Sequence, residues 1–342
     1  MFLEQPGLPL SMTRGGCPLA RARLDLARGR GVSYGRGFAT AALLLSLGLC
    51  GSPVVAAADA GGNELNVAGA TLHIEADLGA FSGGAEPLLA WVRRAAGIVA
   101  GYYGRFPAHS ARIRIVTESG DGVRGGKTFA NPDAFIRVQV GREVTGAQLQ
   151  SDWVLVHEMT HLALPDTGEE HAWLAEGVAT YVEGVARVQA GNRAESDVWA
   201  EELRSMPRGL PQEGDRGLDH THTWGRTYWG GAMFCLLADV DIRRRTQLRF
   251  GLQDALRAVL RESSGLSSDW PIERVLRTGD AAVGTHSLED LYAQMKDAPV
   301  TPDLMALWRQ LGVVPDGAEV RLDDRAPLAD VRRAIMRAGY GG

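Results

Sequence analysis

Cysteine is scarce in this chain: there are three in 342 residues, at positions 17, 50 and 235. Two of them, Cys17 and Cys50, fall in a basic N-terminal head. If that head is removed, Cys235 stands alone and no internal disulfide can form, so stability must come from a packed core, with or without a metal. Cys235 lies in an apolar run and reads as a small buried hydrophobe. A basic excess is missing as well. The formal net charge is −5, which is not the electrostatic footprint of a nucleic-acid binder. The N-terminal apolar run is shorter than the roughly 20 residues a membrane span needs, so no stable span is expected. Internal repeats and long low-complexity tracts are absent too.

The charge that is present is unevenly spread. Residues 1–58 carry six arginines against Glu4 and Asp25, giving +4 and leaving −9 on the remainder. Arg28, Arg30 and Arg36 precede a short apolar run from Ala41 to Leu49, and the small residues Val55-Ala56-Ala57-Ala58 come next. That order is the one found in a secretory signal, so the mature protein is expected to be exported, either periplasmic or secreted. Leu49 occupies the place before Cys50 where lipid attachment requires a small residue, which argues against lipidation.

Beyond the leader the pattern is that of an α+β protein. Leu65–Ala76 reads as a strand, Pro87–Tyr103 as an amphipathic helix and Ala111–Thr117 as a second strand. The Gly-rich stretch Ser119–Gly126 reads as a loop. Ala134–Val140 alternates like a half-exposed strand. Gln148–Leu164 is expected as one helix stopped by Pro165, with another over 170–189, then a long polar connection. Helices over 228–244 and 247–261 come next, and shorter ones around Ile272–Leu276, Leu288–Lys296, Pro302–Leu311 and Pro327–Arg337. The expected organisation is a leader (1–58), a small N-terminal α/β sheet part (59–145) and a mostly helical part (146–342).

The helical part carries the chemistry. The run Val156-His157-Glu158-Met159-Thr160-His161 contains H-E-x-x-H. On a helix, positions four apart lie about 40° apart in angle and about 6 Å apart along the axis. His157 and His161 can therefore bind one zinc ion from a single face, while Glu158, one position on, reaches past the metal towards a water. A third ligand decides the class. The metzincin pattern requires Gly and His at the places held here by Leu164 and Thr167, and is excluded. Glu176 lies fifteen positions after His161, on a second helix that can return antiparallel to the first. It is the candidate third ligand, leaving a fourth coordination position open as a catalytic zinc requires. Glu183, seven positions further on, is a candidate hydrogen-bond acceptor for a ligand imidazole.

H-E-x-x-H together with the downstream run Trp173-Leu174-Ala175-Glu176-Gly177-Val178-Ala179-Thr180-Tyr181-Val182-Glu183 resembles the gluzincin metallopeptidases. Tyr228-Trp229-Gly230-Gly231-Ala232-Met233 and the Leu236–Arg243 segment are similar to the stretch downstream of the metal helices in the glycyl aminopeptidase family. The resemblance spans about residues 130–340 and departs at Gly230, where that family usually has Lys. It implies a thermolysin-like zincin catalytic domain with Zn2+ on His157, His161 and Glu176, and Glu158 as general base. It also implies that Tyr228 stabilises the tetrahedral intermediate, with His220 or His222 as rivals for that role. In the architecture it implies, Ala134–Val140 would be an edge strand at the border of a cleft, where an extended peptide could add by main-chain hydrogen bonds. The implied partner is a peptide or protein substrate. Two other readings share the motif: a zinc-containing binding protein without turnover, and a zinc hydrolase acting on a non-peptide amide such as a cell-wall fragment.

Overall fold

Ala68 and Gly69 adopt left-handed backbone, with φ of 50° and 81°, and turn the chain back on itself. The stretch expected as one strand is therefore a hairpin of β1 (Glu64–Val67) and β2 (Ala70–Glu75), paired antiparallel. The computed structural model describes residues 63–130 and 133–337. The signal-like head, with Cys17 and Cys50, lies outside the described residues.

Helix α1 (Ala85–Tyr103) carries the chain from β2 to the parallel strand β3 (Ser110–Glu118), as a parallel crossover requires. The Leu88, Trp91, Val92, Ala95 and Val99 face of α1 is buried against the sheet and the helices beyond it. Strand β4 (Val123–Phe129) then forms where a loop was expected, and β5 (Phe135–Gly141) comes after it. The sheet order is β1-β2-β3-β5-β4, with β3 and β5 parallel and β4 antiparallel to β5. The edge strand is thus β4, and β5, expected at the border of the cleft, is interior. The alternation of Arg137 and Gln139 with the buried Ile136, Val138 and Val140 reports which face of the sheet meets water. It carries no information about neighbours within the sheet.

The expected helix over 148–164 is two helices, α2 (Gly146–Ser151) and α3 (Val154–His161). Asp152 adopts extended backbone (φ −61°, ψ 139°) between them. Its carboxylate accepts the N–H groups of Val154 and Leu155, both at 3.1 Å, and the Trp91 indole N–H at 2.9 Å. One side chain thereby ends a helix, caps the next and ties it to α1. Helix α4 (Ala172–Gln189) is next, and α5 (Glu195–Ser205) lies inside what had read as a polar connection. Then come α6 (Gly231–Arg245), α7 (Leu252–Glu262), α8 (Ile272–Val283), α9 (Ser287–Met295) and α10 (Leu304–Leu311). A small antiparallel hairpin, β6 (Val313–Asp316) with β7 (Glu319–Leu322), interrupts the helical part before α11 (Ala329–Met336). The result is a mixed α/β fold with its main sheet first and helices after it, as expected. Helix α1 packs on α3, α4 and α7, so sheet and helices share a continuous core. No helix among the described residues is long and apolar enough to cross a membrane.

Two glycines set the closest helix crossing. A Cβ on Gly177 of α4 would lie 2.2 Å from the Gly231 carbonyl carbon at the start of α6, and one on Gly231 would lie 2.0 Å from the Trp173 carbonyl oxygen. The two backbones touch there, which only glycine allows. Deeper in the bundle, the Tyr181 hydroxyl on α4 donates to Asp239 on α6 at 2.9 Å, and Asp239 also accepts the Leu252 N–H of α7.

Glu202 on α5 is 5 % exposed, and its Oε2 has no hydrogen-bond partner among the described residues. Burial, and then the Glu201 and Glu183 carboxylates, push its carboxyl up to about 8 from an ordinary 4.5. A carboxyl raised in the fold is protonated there while the unfolded chain ionises. Its contribution to stability is therefore complete below about 4.5 and is lost as pH rises towards about 8. Glu202→Gln is expected to remove this dependence: the variant's melting temperature relative to wild type should rise between pH 5.5 and 8. An offset that is the same at both pH values would contradict the assignment.

Candidate metal centre

Helices α3 and α4 pack against each other and bring three donor groups together. His157 Nε2 and His161 Nε2 lie 3.2 and 3.5 Å from Glu176 Oε2. One ligand atom from each residue lies within 4.8 Å of the others. In a tetrahedral zinc site with bonds of about 2.0–2.1 Å, adjacent ligand atoms are about 3.3–3.5 Å apart. The two observed separations are edges of such a tetrahedron. Two neutral-capable nitrogens and one carboxylate oxygen are also a donor set that zinc accepts, so the residues present fit the ion.

The electrostatics agree with this reading. Burial pushes the Glu176 carboxyl up, but the two imidazoles outweigh it and hold the group well below the ordinary carboxylate range. His157 is lowered, chiefly by burial. For His161 burial also acts downwards, but Glu176 and Glu158 outweigh it and the net shift is upwards. An anionic carboxylate thus faces two rings that compete for positive charge.

Glu158 is buried (7 % exposed) and held by the edge strand. The Thr128 hydroxyl of β4 lies 2.6 Å from Glu158 Oε2 and 2.8 Å from its carbonyl oxygen, so it can donate to either. Two residues earlier on the same face of the strand, a Cβ on Gly126 would come within 2.5 Å of Glu158 Cγ. A glycine is needed there for the carboxylate to lie against the strand. Sequence reasoning missed both Gly126 and Thr128, because Gly125-Gly126 reads as loop chemistry. The usable signal was the pairing of two glycines with the flanking Val123 and Phe129.

Tyr228 lies in a π-helical turn, Arg226–Gly230, that leads into α6. Its ring stacks on that of His157, with centroids 6.2 Å apart and planes at 14°. Burial, and then the carboxylates of Glu176 and Glu158, raise its hydroxyl above the ordinary range, so it is a proton-bearing donor at neutral pH. Neither rival histidine contacts the three donors among the described residues. His220 pairs with Asp297 at 2.7 Å on the surface, and His222 is exposed in the same loop. His171 is half-buried beside Asp219 and Tyr292.

Glu183 does not reach a ligand imidazole. It pairs with Arg187 one turn along α4 at 2.7 Å, and Arg187 in turn holds the Ser151 carbonyl at the end of α2. Seven residues put Glu183 two turns further along the helix, beyond the reach of the metal end. His157 Nδ1 is buried without a partner among the described residues.

No protein-family model and no curated protein matches the chain. Solved structures do. An aminopeptidase N family protein from Idiomarina loihiensis superposes with a TM-score of 0.54 at 15 % identity, over 74 % of this chain and 49 % of that one. An M1 zinc metallopeptidase from Deinococcus radiodurans gives a TM-score of 0.45 at 13 % identity, over 70 % and 52 %. The chain spans about half the length of these structures. The first likeness shows the fold: a mixed α/β fold like that of an aminopeptidase N family protein.

A ligand bound only by the folded state raises its stability, by about 2.7 kcal/mol at a hundred times Kd. Zinc is therefore expected to raise the melting temperature by about 4–5 °C for a chain of this size, and chelator should reverse it. His161→Ala should abolish the response. An equal zinc-induced shift in that variant would place the binding elsewhere.

Proposed function

We propose that this protein is an exported zinc-dependent metallopeptidase of the gluzincin type, hydrolysing peptide bonds at the His157–His161–Glu176 centre. The observation that carries the reading is the spacing of Glu176 Oε2 from His157 Nε2 and His161 Nε2, 3.2 and 3.5 Å, beside a buried Glu158 that is not among the three donors. A purely structural site has no need of such a carboxylate. The family resemblance of the two metal helices and the aminopeptidase-like fold support the same reading, and the signal-like head supports export.

Zinc bound at this centre would acidify a water and polarise the scissile carbonyl. Glu158 accepts the proton of the attacking water and passes it to the leaving nitrogen. Thr128 limits the carboxylate's rotation, so that one oxygen is steadied and the other is free for the proton. Tyr228 donates its hydroxyl proton in a hydrogen bond to the oxygen on which charge develops, a role worth about 3 kcal/mol in comparable sites. The exposed edge of β4 can take an extended substrate by main-chain hydrogen bonds, passing it directly over Glu158.

Glu158→Gln keeps the side chain's shape and removes its basicity. It is expected to retain about one zinc per chain while hydrolysis of a mixed peptide library falls at least about a thousandfold. Full activity in this variant would refute the mechanism. Loss of zinc would show that Glu158 is itself a ligand.

A further inference from the structure

The chain has eight tryptophans, and six of them are buried: Trp91, Trp173, Trp199, Trp229, Trp270 and Trp308 are 8 % exposed or less. The two others, Trp153 at 51 % and Trp224 at 55 %, both lie beside the metal centre. Trp153 precedes α3 and meets the His157 ring edge-on, with centroids 5.6 Å apart and planes at 90°. Trp224 precedes the π-helical turn and stacks on Tyr228 at 5.8 Å and 26°. Tyr228 stacks on His157 in turn. The four rings form a row with the exposed tryptophans at its two ends and the candidate metal ligand and oxyanion donor between them.

A large aromatic surface left in water is unfavourable unless something covers it in use. That the fold buries six tryptophans and exposes the two at this centre ties the exposure to the site. The contacts to His157 and Tyr228 also fix both rings, so a ligand would meet preformed faces and spend little ordering them.

We propose that Trp153 and Trp224 are the side-chain subsites of the cleft, and that the substrate is a polypeptide with a large apolar or aromatic side chain beside the scissile bond. This rests on the metallopeptidase reading for what happens to the bound chain, but the recognition itself does not need the metal. A sugar ring could also stack on tryptophan, but it needs polar side chains around its rim. Two of the neighbouring ones are engaged. Both oxygens of Asp152 are taken by Trp91, Val154 and Leu155, and the Thr223 hydroxyl accepts the Arg226 N–H at 3.3 Å. An apolar side chain asks only for the aromatic faces.

The test uses the zinc-loaded Glu158→Gln protein, which holds substrate without turning it over. Calorimetry compares a blocked tetra-alanine peptide with two counterparts that carry phenylalanine at the second or third position. At least one phenylalanine peptide should bind about tenfold tighter than tetra-alanine. Adding Trp153→Ala or Trp224→Ala should shrink that ratio to within about threefold without changing zinc content. Both side chains are largely exposed, so the fold should tolerate their loss. Equal affinity for the three peptides would overturn the proposal. So would a preference that survives both replacements, or a chito-oligosaccharide that binds more tightly than any of the peptides. Repeating the titration on chelator-treated protein separates the two readings: a preparation that never binds zinc yet keeps the preference refutes the metallopeptidase and upholds the aromatic subsites.

Discussion

A carboxylate held between two imidazoles in a largely buried place is the constraint on which the rest depends. Glu176 faces His157 and His161 at 3.2 and 3.5 Å, and burial alone would drive such a group to take a proton. The fold instead holds it ionised by placing two rings against it. Burying charge costs several kcal/mol per ion unless partners and geometry compensate, so the arrangement is retained only if something is gained at that point. In the proposed function a divalent cation would supply that gain: its charge would satisfy the carboxylate, its bonds would use the Nε2 lone pairs, and the two separations from Glu176 match its geometry.

Around this centre each scaffold element answers a positional demand. Asp152 ends α2 and starts α3, so the H-E-x-x-H helix begins where the indole of Trp91 fixes it. Gly177 and Gly231 let α4 and α6 touch backbone to backbone, which sets the π-helical turn so that Tyr228 stacks on His157. On the opposite side Gly126 lets the edge strand lie against Glu158, and Thr128 steadies its carboxylate. Helices α3 and α4 are thus flanked by a sheet edge that touches Glu158 and a helical turn whose Tyr228 stacks on His157. In the proposed mechanism these address the base and the oxyanion, and a substrate lying along β4 would meet both.

Much of the centre was legible from residue order alone, because helical periodicity converts four-residue spacing into shared faces. His157 and His161 share a face for that reason, Glu176 was reached through the short link that lets the second helix return beside the first, and Tyr228 was found through resemblance to a family segment. The sheet-before-helices order was legible in the same way. Three features were not. The β4 edge strand was hidden by two glycines that serve close approach to Glu158 and that, in isolation, signal a turn. The break at Asp152 was hidden inside a continuous helical pattern, since an N-capping aspartate looks like a solvated one until its partners are known. Glu183 was placed on the correct helix face but too far along it, where Arg187 takes it. In the first two cases tertiary contact, with Glu158 and with Trp91, decided the local structure; in the third a partner one turn along the same helix did.

The most direct test is the metal content of residues 59–342, purified, stripped and reconstituted, for wild type and for Glu176→Ala. The account predicts about one zinc per chain in the wild type, and a variant that loses it or holds it at least about a hundredfold more weakly. No zinc in the reconstituted wild type, or equal retention in the variant, would contradict the claim that this carboxylate and the two histidines form a metal centre.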